Sequence, residues 1–293
     1  MGHTSYSSSA RSVRAKNLGY DTKSIHETFS QRNINSAMNP YGITFRESRD
    51  SEEHPNSLAI IIALDVTGSM GSVPHFMVKK GLPNIMEHII KKGISDPQVL
   101  FLGIGDHEYD NSPLQVGQFE SGDELLDKWL TDVYLEGGGG GNDGESYHLA
   151  WYFAAYHTQL DCFEKRNQKG LLFTIGDEPV LKNISKQTLK NLMGSGQHQN
   201  FSALELYDKA RENYHVFHIN VGSTSSGSRE SVKNGWKQIV QENLLLADHP
   251  EDIEKLISET VIKFGSQIAE TPITKKDNPV KEKPTADPEE MML

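Results

Sequence analysis

The chain has 293 residues, 36% of them hydrophobic, and a formal net charge of −11. A chain of that length can bury one good core, and its acidic balance argues against a general nucleic-acid or anionic-membrane binder, because nothing would neutralise phosphates. The lone cysteine, Cys162, excludes an intramolecular disulfide and suits a reducing compartment.

The N-terminal stretch "MGHTSYSSSARSVRAKN" has no apolar core of the secretory-signal kind. No stretch approaches the roughly 20 apolar residues of a spanning helix. The expectation is a cytoplasmic protein.

Three textures succeed one another along the chain. Residues 1–56 form a polar extension rich in Ser, Asn and Arg, in which Tyr41 and Phe45 are candidate anchors onto a domain. Its "FRESRDSEEHPNS" alternates Arg with acidic residues and reads as a solvated or ion-paired segment. Residues 57–268 carry the apolar periodicity of a folded domain, and the charged, proline-containing tail over 269–293 reads as disordered, so the expectation is one domain with flexible ends.

Inside the domain, apolar runs of strand length alternate with helical patterns. "LAIIIAL" (58–64), "QVLFLGI" (98–104), "LLFTI" (171–175), "HVFHINV" (215–221) and "NLLLA" (243–247) are nearly continuous, as in strands covered on both faces. "LQVGQF" (114–119) reads as an antiparallel edge strand.

The segment after Met70 is helical, with Gly81 and Pro83 set to kink or split it. Ser121 with Glu124, Ser202 with Glu205 and Asp248 with Glu251 mark helix starts in the capping-box pattern. A further helix, apolar nearly all round, is expected to begin near Glu145. Strand–helix alternation of this kind predicts an α/β fold: a Rossmann-like, doubly wound, mostly parallel central sheet with helices on both faces. Ligands of such sheets sit beyond the carboxyl ends of the strands.

Three strands end on aspartate there: "IIIALD" on Asp65, "VLFLGIGD" on Asp106 and "LLFTIGD" on Asp177. Asp65 and Asp177 should lie closest together, flanking the place where winding reverses. Clustered carboxylates repel unless a cation or proton sits among them. Aspartate and hydroxyl oxygens suit magnesium, manganese or calcium, whereas zinc would want Cys or His. His215 and His218 are three apart on a strand and so face opposite ways. Helix capping is the plainer explanation for any single aspartate.

A second polar loop, "LEGGGGGNDGESYHLAWYFAAY", lacks the Lys-Ser/Thr ending of a phosphate loop, and its glycines permit close backbone approach. "IGDHEYDNSP", with Asp106, Glu108 and Asp110, reads as a solvated acidic loop or, alternatively, as a second cation site.

Taken together, Asp65-Val66-Thr67-Gly68-Ser69, the glycine loop before a buried helix and Asp177 in "TIGDE" resemble a von Willebrand factor A (vWA) domain with a metal-ion-dependent adhesion site (MIDAS). The resemblance covers residues 57–268, with threonine at a position where the family has serine. It implies Mg2+, or Mn2+ or Ca2+, with Thr67 and Ser69 touching the ion and Asp65 and Asp177 holding it through waters. The loop contact falls on Asn142 or Asp143. An open coordination position, in this family, is filled by a Glu or Asp side chain of a protein partner. Some intracellular members act as adaptors beside ring-forming AAA+ ATPase chaperones, a partner class the resemblance implies.

The function implied is metal-dependent protein–protein recognition, without catalysis. Two alternatives stand beside it. One is a haloacid-dehalogenase-like phosphatase using Asp65 as nucleophile, against which the order of motifs speaks. The other is the same fold with a vestigial metal site.

Overall fold

The computed structural model describes residues 5–137, 142–194 and 198–266. The tail over 269–293 lies outside the described residues.

Six strands form the central sheet: β1 (Ser57–Asp65), β2 (Asp96–Ile104), β3 (Leu114–Val116), β4 (Gly170–Gly176), β5 (Tyr214–Val221) and β6 (Leu244–Ala247). Their order is β6-β5-β4-β1-β2-β3, parallel throughout except for β3, which runs antiparallel to β2 at the edge. The central apolar runs have the burial they predict, every residue of β1, β2 and β4 being buried, whereas "NLLLA" forms the edge strand β6 and leaves Leu246 exposed, not covered on both faces as expected. Alternation across the pleat splits β1, with Ala59, Ile61 and Ala63 on one face and Leu58, Ile60, Ile62 and Leu64 on the other.

Helices pack against both faces of this sheet and hold its N-terminal approach: α1 (Ser8–Leu18), α2 (Leu82–Lys91), α3 (Asp123–Thr131), α4 (His148–Tyr156), α5 (Ala203–Ala210), α6 (Glu230–Val240) and α7 (Pro250–Gly265). Residues of α4, α5 and α6, including Trp151, Leu206 and Trp236, cover the face of Ile61. Residues of α2, α3 and α7, including Ile85, Leu126 and Ile257, cover the face of Ile60. This is the Rossmann-like, doubly wound arrangement the alternation predicts, and it is consistent with the vWA-type fold that the resemblance implies. Among the described residues, no helix is long and apolar enough to cross a membrane.

The helical stretch after Met70 is shaped by Pro83. An α-turn over Val73–Phe76 passes into a π-turn over Met77–Gly81 before α2 begins. In that register Leu82 N–H returns to Met77 O, so Val78 O would look for a donor at residue 83, a proline without one. The donor comes from outside: the Arg11 guanidinium of α1 bonds Val78 O. Gly81 sits where the turn closes, and a Cβ there would lie 2.7 Å from Met77 Sδ.

The N-terminal segment is therefore part of the packed structure over its described length, which corrects the flexible extension expected from its polarity. Arg11 is 5% exposed and pairs with Asp127 at 3.1 Å, while Arg14 reaches Asp123 and Asp127 of the same helix α3 at 2.6 and 3.0 Å. Tyr20, Phe29 and Met38 are buried in the Ile60 face. Of the expected anchors, Tyr41 is 65% exposed yet lays its ring against Gly194, where a Cβ would come 3.2 Å from it, and Phe45 is 45% exposed. Further on, Arg46–Ser48 pairs in parallel with Thr158–Leu160, and Arg49 ion-pairs with Glu47, Asp161 and Glu164. The alternating charges of this stretch are thus matched, largely by the domain.

Candidate metal centre

Winding reverses between β1 and β4. From β1 the chain moves outward to β2 and β3, then returns to β4 on the other side of β1. The crevice beyond these two strand ends is where a doubly wound sheet accepts ligands.

Asp65 closes β1, and the turn after it is built around its carboxylate. Oδ1 accepts from Thr67 N–H at 2.9 Å and from Thr67 Oγ1 at 2.6 Å. A single 3-10 turn over Gly68–Met70 then brings Ser69 round, exposed, to donate to Asp177 Oδ1 at 2.9 Å. The Thr67 and Ser69 hydroxyl oxygens lie 3.2 Å apart. Four predicted residues, Asp65, Thr67, Ser69 and Asp177, are thereby joined in one chain of contacts. Asp65 and Asp177 are fully buried, and Asp177 Oδ2 has no hydrogen-bond partner.

Such an arrangement calls for positive charge. Burial pushes the Asp65 carboxyl up to about 7, with Asp177 adding to the rise and the Thr67 and Tyr147 hydrogen bonds opposing it. Among the described residues, no Lys or Arg pairs with either aspartate. Each hydroxyl gives its one proton to a carboxylate, which leaves oxygen lone pairs free. All the donor atoms are hard oxygens, so the set fits Mg2+, Mn2+ or Ca2+. Among the described residues, no three His, Cys, Asp or Glu side chains converge to hold an ion by themselves; a set at this place would have to include the hydroxyls. The crevice opens into a cavity of about 600 Å³ walled by Ser69, Gly71, Ser72, Ser223–Ser226 and Pro250.

The second loop is arranged differently from the expectation. Residues 138–141 lie outside the described residues. The Asn142 amide donates to Glu108 Oε2 at 2.8 Å, and the Asp143 side chain is 88% exposed, 4.0 Å from Arg229. These contacts turn both side chains to partners outside the Asp65–Asp177 group. Asp106 is engaged by its own loop: its Oδ1 accepts from Glu108 N–H at 2.8 Å, and its N–H donates to Asp110 Oδ2 at 2.7 Å. The two strand histidines are committed elsewhere. His218 is buried, stacked on Trp236 at 3.4 Å and bonded to Thr174, while His215 packs on Phe264 from the opposite face.

Two residues just after the glycine loop reach the site without having been expected there. Glu145 is 6% exposed, and its Oε2 has no partner. Burial, then Asp65, Asp110, Asp106 and Glu178, push its carboxyl up to about 10. Tyr147, fully buried, donates its hydroxyl to Asp65 Oδ2 at 2.7 Å. The signal for Tyr147 is at the far end of β4: a Cβ on Gly176 would lie 1.8 Å from the Tyr147 hydroxyl oxygen. Only by seeing glycine and tyrosine as one contact, 29 positions apart in the chain, could the sequence have shown it.

No protein-family model matches the chain, and no curated protein does. Solved structures that it resembles include the pilus adhesin SpaC from Lactobacillus rhamnosus GG, in an open conformation (13% identity, TM-score 0.48, covering 71% of this chain and 30% of that one). Others are proximal thread matrix protein 1 from the mussel byssus (12%, TM-score 0.45, 71% and 48%) and a von Willebrand factor type A protein from Catenulispora acidiphila (11%, TM-score 0.39, 71% and 42%). The match spans less than half of each of these proteins.

Proposed function

We propose that this chain is a protein-interaction module that binds a divalent cation at the β1–β4 switch point and, through it, a carboxylate of a protein partner. The observation that carries the reading is the contact chain Asp65–Thr67–Ser69–Asp177, with a buried, unpartnered Asp177 oxygen at its end. Thr67 and Ser69 would touch the ion, and Asp65 and Asp177 would hold it through waters. Neutral hydroxyls leave a bound cation under-compensated, so it attracts an outside carboxylate even on an acidic protein. The cation supplies that electrostatic attraction; the chain supplies the oxygen donors and the opening beside Ser69.

An aspartyl nucleophile needs an oxygen free to meet phosphorus. Asp65 has no exposed surface, and both its oxygens accept hydrogen bonds. The phosphatase alternative gains no support from that environment.

Calorimetric titration of Mg2+ and Mn2+ into the protein and into Asp65→Ala and Ser69→Ala variants tests the reading. Binding by the parent, weakened at least about 10-fold in both variants, is the expected result. Equal heats in all three proteins would remove it.

A further inference from the structure

One side chain that touches the Asp65–Asp177 group belongs to none of the expected ligands. We propose that Tyr147 is the positioning residue of this site: its hydroxyl locks the Asp65 carboxylate and so aims the Thr67 oxygen at the cation. The inference rests on the cation-binding reading and adds to it a residue that would not touch the ion.

Asp65 is held mainly by its own turn. Its Oδ1 is bound by Thr67 N–H and the Thr67 hydroxyl, both within two residues. Those local bonds fix one oxygen and leave the carboxylate free to turn about it. Tyr147 Oη, donating to Oδ2 at 2.7 Å, removes that freedom. With the carboxylate plane set, the Thr67 proton has one direction, toward Oδ1, so its lone pairs are held on the side of Ser69, 3.2 Å away. Ser69 in turn spends its proton on Asp177. Tyr147 is thus the non-local end of the contacts that orient the Thr67 hydroxyl, while Asp177 orients that of Ser69.

The surroundings are built to keep that phenol in place. Its ring meets Trp236 at 5.4 Å and His218 at 5.3 Å, both in T-shaped contact. Gly176, the last residue of β4, leaves open the space its hydroxyl occupies. The same oxygen stands 3.5 Å from Glu178 N–H, so it spans the ends of the two strands that flank the crevice. Tyr147 also directly precedes α4 and comes after the glycine loop, which ties that loop's exit to the carboxylate of β1. A purely packing role would be served by phenylalanine, whose ring makes the same contacts.

Mn2+ affinity by calorimetry, with thermal unfolding of the metal-free proteins, is measured for the full chain and for Tyr147→Phe and Ser69→Ala. Tyr147→Phe is expected to fold, to melt within about 10 °C of the parent, and to bind Mn2+ about 10-fold more weakly at about 15 °C, where it is folded. Parent-like affinity in Tyr147→Phe, with affinity lost in Ser69→Ala, would overturn the positioning role and leave the cation site standing. No binding by the parent would remove both.

A second measurement needs no variant. Mg2+ is titrated into the parent carrying 13C at tyrosine Cζ. Tyr147 alone among the described tyrosines bonds a carboxylate of the cluster, so one of the ten resonances should shift. A titration in which none moves would overturn the inference.

Discussion

Glu145 offers the clearest quantitative consequence of the acidic crevice. Its carboxyl is buried, one oxygen is unpaired, and burial together with Asp65, Asp110, Asp106 and Glu178 raises its proton affinity, to about 10 from an ordinary 4.5. Because the folded value lies above the unfolded one, the stabilising contribution is complete below about pH 4.5 and is lost as pH rises toward 10. Each pH unit in that window costs about 1.4 kcal/mol, so between pH 5 and pH 7.5 the loss approaches about 3 kcal/mol. Glutamine keeps the shape and removes the titration. Urea unfolding with a chelator present, at pH 5 and pH 7.5, should therefore show Glu145→Gln close to the parent at the lower pH. At the higher pH it should be more stable by up to about 3 kcal/mol. A variant that gains nothing between the two pH values would refute the reasoning, because the carboxyl would then be solvated or paired in the folded protein.

Gly176→Ala should be severe: a methyl 1.8 Å from the Tyr147 hydroxyl oxygen cannot coexist with it, and ring carbons come next at 2.5 and 2.6 Å. The expected loss is at least about 3 kcal/mol in chemical denaturation, with Tyr147→Phe failing to restore it because the ring still collides. His148 is fully buried with both ring nitrogens unpartnered, and burial pushes it down to about 3. Its folded value is depressed, so stability is present above the unfolded value of about 6.5 and falls as pH drops toward 3. At pH 5 that amounts to about 2 kcal/mol, and a His148→Leu variant should lose less stability than the parent between pH 7 and pH 5.

The sheet was legible because its signals are local. The buried strands β1 and β2 carry the apolar stretches "LAIIIAL" and "VLFLGI", and the edge strand "LQV" is antiparallel as its position implied. Caps were legible where side chain and backbone agree: Ser202 and Glu205 form the expected box. They shifted where a neighbour competes. The last helix takes His249 and Asp252 in place of Asp248 and Glu251, and α3 starts after Gly122 with no side-chain cap at all. Helix α4 begins at His148 and not near Glu145, because the backbone of Glu145 and Ser146 is committed to Pro179, Leu181 and Gly105.

The same distinction runs through the site. Asp65, Thr67 and Ser69 lie within one turn, and Asp177 comes directly after the strand next to β1, so spacing and topology alone bring them together. Asn142 and Asp143 are close to the glycine loop in sequence, yet their side chains answer to Glu108 and Arg229. Nothing in local pattern marks Tyr147 or Arg11, whose partners lie 82 and 67 positions away. Arg11 supplies the donor that Pro83 withholds from Val78, a contact that only the folded chain makes evident.

The most direct test of the cation site is a crystal soaked in Mn2+ and measured at the manganese absorption edge. An anomalous peak beside Thr67 Oγ1 and Ser69 Oγ, with Asp65 and Asp177 close behind, is the expected result. No peak there, or a peak confined to the Asp106–Asp110 loop, would contradict it.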